Sequence, residues 1–186
     1  MDPKGWPASL RYLSKAQWAD NVDKNAKTAA VQELKSFARL QGAVALDPAG
    51  RCRHLRIRVI EEQGHPAFGQ RGLFAARNIP PRTFLLEYAG EITLDQCLGS
   101  DYVVALNHAV SIDAQRLGNE ARFVNDYRGI AVKPNAEFRL FTYGGGTGEA
   151  RMGIWSGHHN ITKGSEILVS YGKAFWKSRT VNKENE

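Results

Sequence analysis

The sequence predicts a mainly β domain of many short strands with some helix at its N-terminal end. Three observations carry this. Beyond Arg51, apolar and polar residues alternate in short runs, and glycine, proline and asparagine punctuate those runs. No segment between the runs has the length or the helical period of a crossover helix, which argues against a parallel α/β sheet.

The chain before residue 48 reads as a helical extension. Ser14–Gln17 has the form of a capping box, and Trp18 with Val22, then Leu34 with Phe37, lie at helical spacing up to Gly42. The Asn21–Asn25 stretch divides the pattern into two helices. In "RCRHLRIRVI" (Arg51–Ile60) the period changes to two. Leu55, Ile57 and Val59 share one face of a half-buried strand, and His54, Arg56 and Arg58 share the other. That arginine face is either solvated or turned to an acidic partner. The runs "GLFAA" from Gly72, "TFLLEYAGEI" from Thr83, "YVVAL" from Tyr102, "AVSID" from Ala109, "ARFV" from Ala121, "AEFRLFTY" from Ala136, "RMGIWSG" from Arg151 and "EILVSYG" from Glu166 each read as a strand. The expected organisation is an extension over residues 1–48, one domain over 49–176 and a tail over 177–186.

At 186 residues and 42% hydrophobic, the chain is sized for one domain with a real core. No apolar run approaches the ~20 residues of a membrane helix, and the N-terminus lacks the apolar stretch of a secretory signal. A soluble, intracellular protein is expected. Cys52 and Cys97 form no CxxC pair, which argues against a cysteine-rich zinc site; reduced thiols are expected, with one disulfide as the alternative. The net charge of +6 permits contact with nucleic acid or an acidic surface without requiring it. Gly144–Gly148 lacks the Lys-Ser/Thr of a phosphate loop and reads as a hairpin tip. His158 and His159 are adjacent, so in a strand they point to opposite faces, and no metal site is expected. Neither a Ser-His-Asp order nor a carboxylate pair stands out.

Six segments occur in one order: "GQRGLFA" (Gly69–Ala75), "EYAGEI" (Glu87–Ile92), "SIDA" (Ser111–Ala114), "GNEARFVND" (Gly118–Asp126), "PNAEF" (Pro134–Phe138) and "ITKGSEILVSYG" (Ile161–Gly172). Together they resemble the SET-domain family of protein lysine methyltransferases, over about Ile57 to Trp176. The resemblance implies a SET fold of several small twisted sheets, in which "ARFVND" and "ILVSYG" meet in a C-terminal pseudoknot. It departs from the family pattern in three places. Gln70 stands where the first glycine of "GxG" falls, Asp126 stands at the usual histidine, and cysteine-rich zinc clusters are lacking on both sides.

The resemblance also implies chemistry: methyl transfer from S-adenosylmethionine to the side-chain amine of a protein lysine. Tyr171 matches the catalytic tyrosine of the terminal "YG", and Tyr88 the tyrosine beside the lysine channel. Cofactor contacts are implied for Arg71 and Gly72 through the backbone, for Tyr102 and Arg122, and for Asn125 with Asp126; a structural ion pair is the alternative for Arg122. Val169 and Phe123 are implied to line the substrate channel, and the small Val169 leaves volume for di- or trimethylation. Phe175 and Trp176 pack over the cofactor or into the core, or a second copy of the chain in a homodimer completes the wall. The expected substrate is a basic protein tail, a histone first, with Glu87, Glu91 and Asp101 as acidic contacts. The positive charge suits nucleosomal DNA better than the tail itself, and a nuclear location is expected. The alternative is a non-catalytic SET-fold module that binds a protein or nucleic acid.

Overall fold

In the computed structural model, which describes residues 2–46, 54–94, 99–144, 148–173 and 175–176, the N-terminal segment is woven into the β-rich part of the chain. It contributes β1 (Arg11–Tyr12), β2 (Gln17–Trp18), α1 (Lys24–Leu40) and β3 (Val44–Ala45). Next come β4 (Leu55–Val59), β5 (Arg71–Ala75), β6 (Phe84–Glu87), β7 (Glu91–Thr93), β8 (Val103–Ala105), β9 (Ser111–Asp113) and β10 (Leu117–Gly118). A 3-10 turn, Glu120–Phe123, leads to β11 (Asn125–Asp126), β12 (Ala136–Thr142), β13 (Ala150–Ser156) and β14 (Leu168–Val169). Cys52 and Cys97 lie outside the described residues, as does the middle of the Gly144–Gly148 tip.

Among the described residues the strands form five small sheets. Two have four strands, in the orders β3-β12-β13-β6 and β2-β7-β9-β8, and three are pairs: β1-β10, β4-β5 and β11-β14. This is the mainly β SET architecture implied by the resemblance. The "ARFVND" and "ILVSYG" segments meet as expected: β11 runs parallel to β14, with Asn125 opposite Leu168 and Asp126 opposite Val169. Asn135 of the "PN" pair fastens this seam, since its amide donates to the Glu166 carbonyl at 2.7 Å and accepts from the Leu168 N–H at 2.8 Å.

Three local expectations are corrected. Ser14–Gln17 caps no helix: Gln17 and Trp18 are extended and pair parallel with Glu91 and Ile92. The helix begins at Lys24 as one unbroken element, because Asp23 supplies the cap and accepts from the Asn25 and Ala26 N–H groups at 2.8 and 3.0 Å. The run "ARFV" is a 3-10 turn rather than a strand. Asn119 caps it, and all four of its residues are buried, so a short apolar run here reported burial and not period.

The helix lies against β12 and β13, burying Ala30, Leu34 and Ala38 at helical spacing. The core continues through Leu73, Ile79, Ile92, Ile112, Phe141, Ile154 and Ile167, all nearly or fully buried. Each such side chain contributes about 2 kcal/mol through removal from water.

Candidate active site

Asn119 joins two turns beside the site. Its amide donates to the Glu87 carbonyl at 2.7 Å and accepts from the N–H groups of Ala89 and Ala121 at 3.2 Å each. One side chain thus ties the turn carrying Tyr88 to the turn carrying Arg122 and Phe123.

Two clefts open beside these turns. The first, of about 570 Å³, is bordered by Arg71, Phe123, Asn125, Asp126 and Trp176. The second, of about 730 Å³, is bordered by Tyr88, Val104, Val124, Phe138 and Met152. Asp101, Tyr102, Arg122, Tyr171 and Phe175 border both, so these five form a common wall.

Tyr171 of that wall and Tyr88 of the second cleft have committed hydrogens. The Tyr171 hydroxyl donates to the Val124 carbonyl at 2.6 Å, and the Tyr88 hydroxyl donates to the Tyr102 carbonyl at 2.9 Å. Burial pushes both phenol pKa values far above the ordinary 10, with like-charge repulsion from Asp126 adding to the rise at Tyr171. Both therefore stay protonated at neutral pH and are no general bases. Toward anything else they offer oxygen lone pairs, which suits a ligand bearing N–H donors.

Asp126 holds the end of the chain against the site. It is buried, and it accepts from the N–H groups of Arg128 and Tyr171 at 2.9 and 2.7 Å, from the Arg128 guanidinium at 2.9 Å, and from the Trp176 indole at 3.2 Å. Burial alone works to raise its pKa, but these hydrogen bonds and the Arg128 charge outweigh it and hold the carboxyl below its usual range. The carboxylate at the family's histidine position is thus neutralised by its own neighbours.

Arg122 forms hydrogen bonds with backbone carbonyls. Its guanidinium donates to the carbonyls of Ala114 and Gln115 at 2.9 and 3.4 Å, and it lies over the rings of Tyr102 and Phe123 at 3.9 and 5.0 Å. This stack makes it the beam between the two clefts.

At the inner end of the first cleft the Asn125 amide donates to Glu166 Oε1 at 2.7 Å, and the His65 ring bonds Glu166 Oε2 at 3.0 Å. Gly72 makes room for this carboxylate: a Cβ there would stand 2.6 Å from Glu166 Oε1. The sequence-predicted residues Arg71, Tyr102, Arg122, Asn125, Asp126 and Tyr171 thus gather around the first cleft, and Tyr88 borders the second.

Three residues are placed differently. Gly72 is buried against Glu166 and does not border either cleft. Phe123 faces the first cleft rather than the second, edge-on to Trp6 at 5.6 Å. Val169 is fully buried and borders neither cleft, because its place in the β11–β14 pair turns it into the core. Among the expected acidic contacts, Glu87 is also excluded from the surface. It is 4% exposed, accepts from the Ala16 N–H at 2.9 Å and from the Tyr143 hydroxyl, and lies 3.5 Å from Arg151. Burial pushes its pKa up in spite of these partners.

Sequence reasoning missed His65 and Glu166, and also Pro7, Ser9 and Leu10, through which the N-terminal segment borders the first cleft. Glu166 lay within a quoted motif; the others carried no pattern.

In chemical terms the first cleft fits a nucleoside-bearing ligand with a carboxylate and an N–H donor. The Phe175 and Trp176 rings give it flat apolar surface, and the Arg71 side chain borders it as a cation. Asn125, whose amide nitrogen is taken by Glu166, supplies a carbonyl acceptor.

Residues 70–172 match the family model described as SET domain. The chain is 31% identical over 110 residues to the histone-lysine N-methyltransferase MEDEA of Arabidopsis thaliana, covering 54% of this chain and 15% of that protein. It is 28% identical over 133 residues to the histone-lysine N-methyltransferase ASHH1 of Arabidopsis thaliana, covering 65% of this chain and 25% of that protein. To the histone-lysine N-methyltransferase SETD2 of Homo sapiens it is 30% identical over 112 residues, or 54% of this chain and 4% of that protein. The matched region is thus at most a quarter of the length of each of these relatives.

Proposed function

The chain belongs to the SET domain family, and on that premise we propose that it is a protein-lysine N-methyltransferase that uses S-adenosylmethionine and acts on a histone in the nucleus. The observation that carries this reading is the wall shared by the two clefts, with the Tyr171 hydrogen committed to the Val124 carbonyl.

Two reactants that meet through a narrow contact need one cavity each and a common boundary. The first cleft takes the cofactor, held by Asn125, by the Arg71 backbone and by the rings of Phe175, Trp176 and Tyr102. When bound, S-adenosylmethionine supplies a methyl group on a sulfonium, whose S–C bond breaks as the N–C bond forms. The second cleft takes the lysine. Its wall of Val104, Phe138 and Met152 desolvates the ammonium and favours the neutral amine, and the proton leaves to water. The Tyr171 and Tyr88 oxygens accept from the amine N–H groups and fix the direction of its lone pair.

A third feature supports nucleosomal DNA as a further contact. A groove of about 640 Å³ runs along β4, bordered by Lys4, Arg56, Arg58 and Arg71 with Glu120 as its one carboxylate. Arg71 belongs to this groove and to the first cleft, so DNA held here lies beside the cofactor.

The test is calorimetric titration of S-adenosylmethionine with a radiolabelled transfer assay on core histones and on nucleosomes. Cofactor binding with transfer is expected. A folded protein that binds no cofactor overturns the proposal in favour of a non-catalytic binding module.

A further inference from the structure

The loop joining β4 to β5 carries His65, which precedes all six motif segments and yet reaches the inner end of the first cleft. We propose that His65 is a positioning residue for the cofactor, acting through Glu166 to fix the amide orientation of Asn125. The role in cofactor binding rests on the methyltransferase reading above.

The hydrogen bonds determine the tautomer. The Ala67 N–H donates to His65 Nδ1 at 3.0 Å, so Nδ1 carries a lone pair and no proton. The ring hydrogen is therefore on Nε2, 3.0 Å from Glu166 Oε2, and His65 is a donor there. His65 is 8% exposed, so water does not compete for this bond.

Glu166 thereby has one oxygen on His65 and the other on the Asn125 amide nitrogen. Rotating the Asn125 amide by half a turn would set its carbonyl oxygen against a carboxylate oxygen, which is repulsive. The carboxylate thus selects the orientation in which the Asn125 nitrogen faces Glu166 and the oxygen is left for the cleft. Without His65 the carboxylate has lost one of its two anchors, and only the Asn125 amide still holds it. What the oxygen meets must be a donor, and S-adenosylmethionine carries an ammonium and ribose hydroxyls.

Two substitutions separate this role from a loop-shaping one. In His65→Gln the amide nitrogen reaches about as far as Nε2 and restores the donor to Glu166, while the acceptor for Ala67 is lost. In His65→Asn the side-chain oxygen keeps the acceptor for the N–H two residues on, as an Asx turn, but no donor reaches Glu166. After thermal melts show that both variants are folded, S-adenosylmethionine is titrated calorimetrically. The Gln variant is expected to bind within about threefold of wild type and the Asn variant about tenfold more weakly. The steady-state KM for cofactor should rise in the Asn variant while kcat holds. The reverse order, or equal binding by the two variants, overturns the proposal. In the ligand-free wild type, proton–nitrogen correlation spectra of the imidazole should show the Nε2–H form. An Nδ1–H or doubly protonated ring overturns it as well. If the wild type binds no S-adenosylmethionine, the methyltransferase reading fails and the positioning role with it, while the imidazole spectra still decide the His65–Glu166 bond.

Discussion

The Tyr171 hydroxyl and the Val124 carbonyl are 2.6 Å apart, across the wall that divides the two clefts. The bond fixes the phenol oxygen of a residue that borders both clefts. Tyr171→Phe removes that oxygen without changing ring packing on Phe175, 4.7 Å away. Cofactor affinity should stay within about threefold, stability should fall by about 1 kcal/mol, and methyl transfer should fall by about a hundredfold or more. Single-turnover transfer and calorimetry on one preparation check this; equal losses in binding and turnover would assign Tyr171 to packing alone.

Asp126 makes the fold acid-sensitive. Its folded-state pKa lies below the ordinary carboxylate value, so its contribution is present above about pH 4 and is lost as pH falls through the folded value. Asp126→Asn should cost about 2 kcal/mol at neutral pH and flatten the acid limb of the stability curve. Urea unfolding at a series of pH values tests it, and parallel curves for wild type and variant would refute it.

Arg151 has the opposite pH signature through Glu87. The Glu87 pKa is already raised by burial, and Arg151 is one of the groups that hold it down. Arg151→Met raises it further, and a raised folded pKa means stability is lost as pH rises through it. The variant should lose about 3 kcal/mol at alkaline pH and distinctly less in mild acid. Thermal melts across this range would show a steeper downward slope than in the wild type.

The β4 groove predicts a salt signature. Arg56→Gln with Arg58→Gln should lower the slope of log K against log salt for a DNA duplex by about 2. Methylation of an isolated histone tail should be unaffected and methylation of nucleosomes reduced. An unchanged slope would make the arginine face merely solvated.

Much of this molecule was legible in its sequence because alternation survives where strands are long. β4, β5, β12 and β13 appear where alternation placed them, and Tyr171 and Asn125 stand where the motifs put them. The misses have physical reasons. Strands β1, β2 and β3 have two residues each, too few to show a period, and their pairing partners lie far away in the chain. Trp18 therefore passed for a helical residue until Asp23 was seen to cap the helix. The resemblance implies a channel role for Val169 and Phe123, but it does not say which cavity a side chain faces, and Phe123 borders the first cleft while Val169 lies in the core. His65 and Glu166 are separated by 101 positions, and nothing local in either marks the other.

The parallel pairings of the N-terminal strands dictate an order of assembly. Arg11 finds its partner only at Leu117, and Val44 only at Phe141, about a hundred residues later in each case. On a ribosome, α1 can form early, but β1 and β3 must wait until most of the domain has been synthesised. Because Pro7, Ser9 and Leu10 border the first cleft together with Phe175 and Trp176, that cleft is completed only after these two distant segments have met. A half-made chain therefore cannot form it, and folding should be slow and governed by these late, long-range closures.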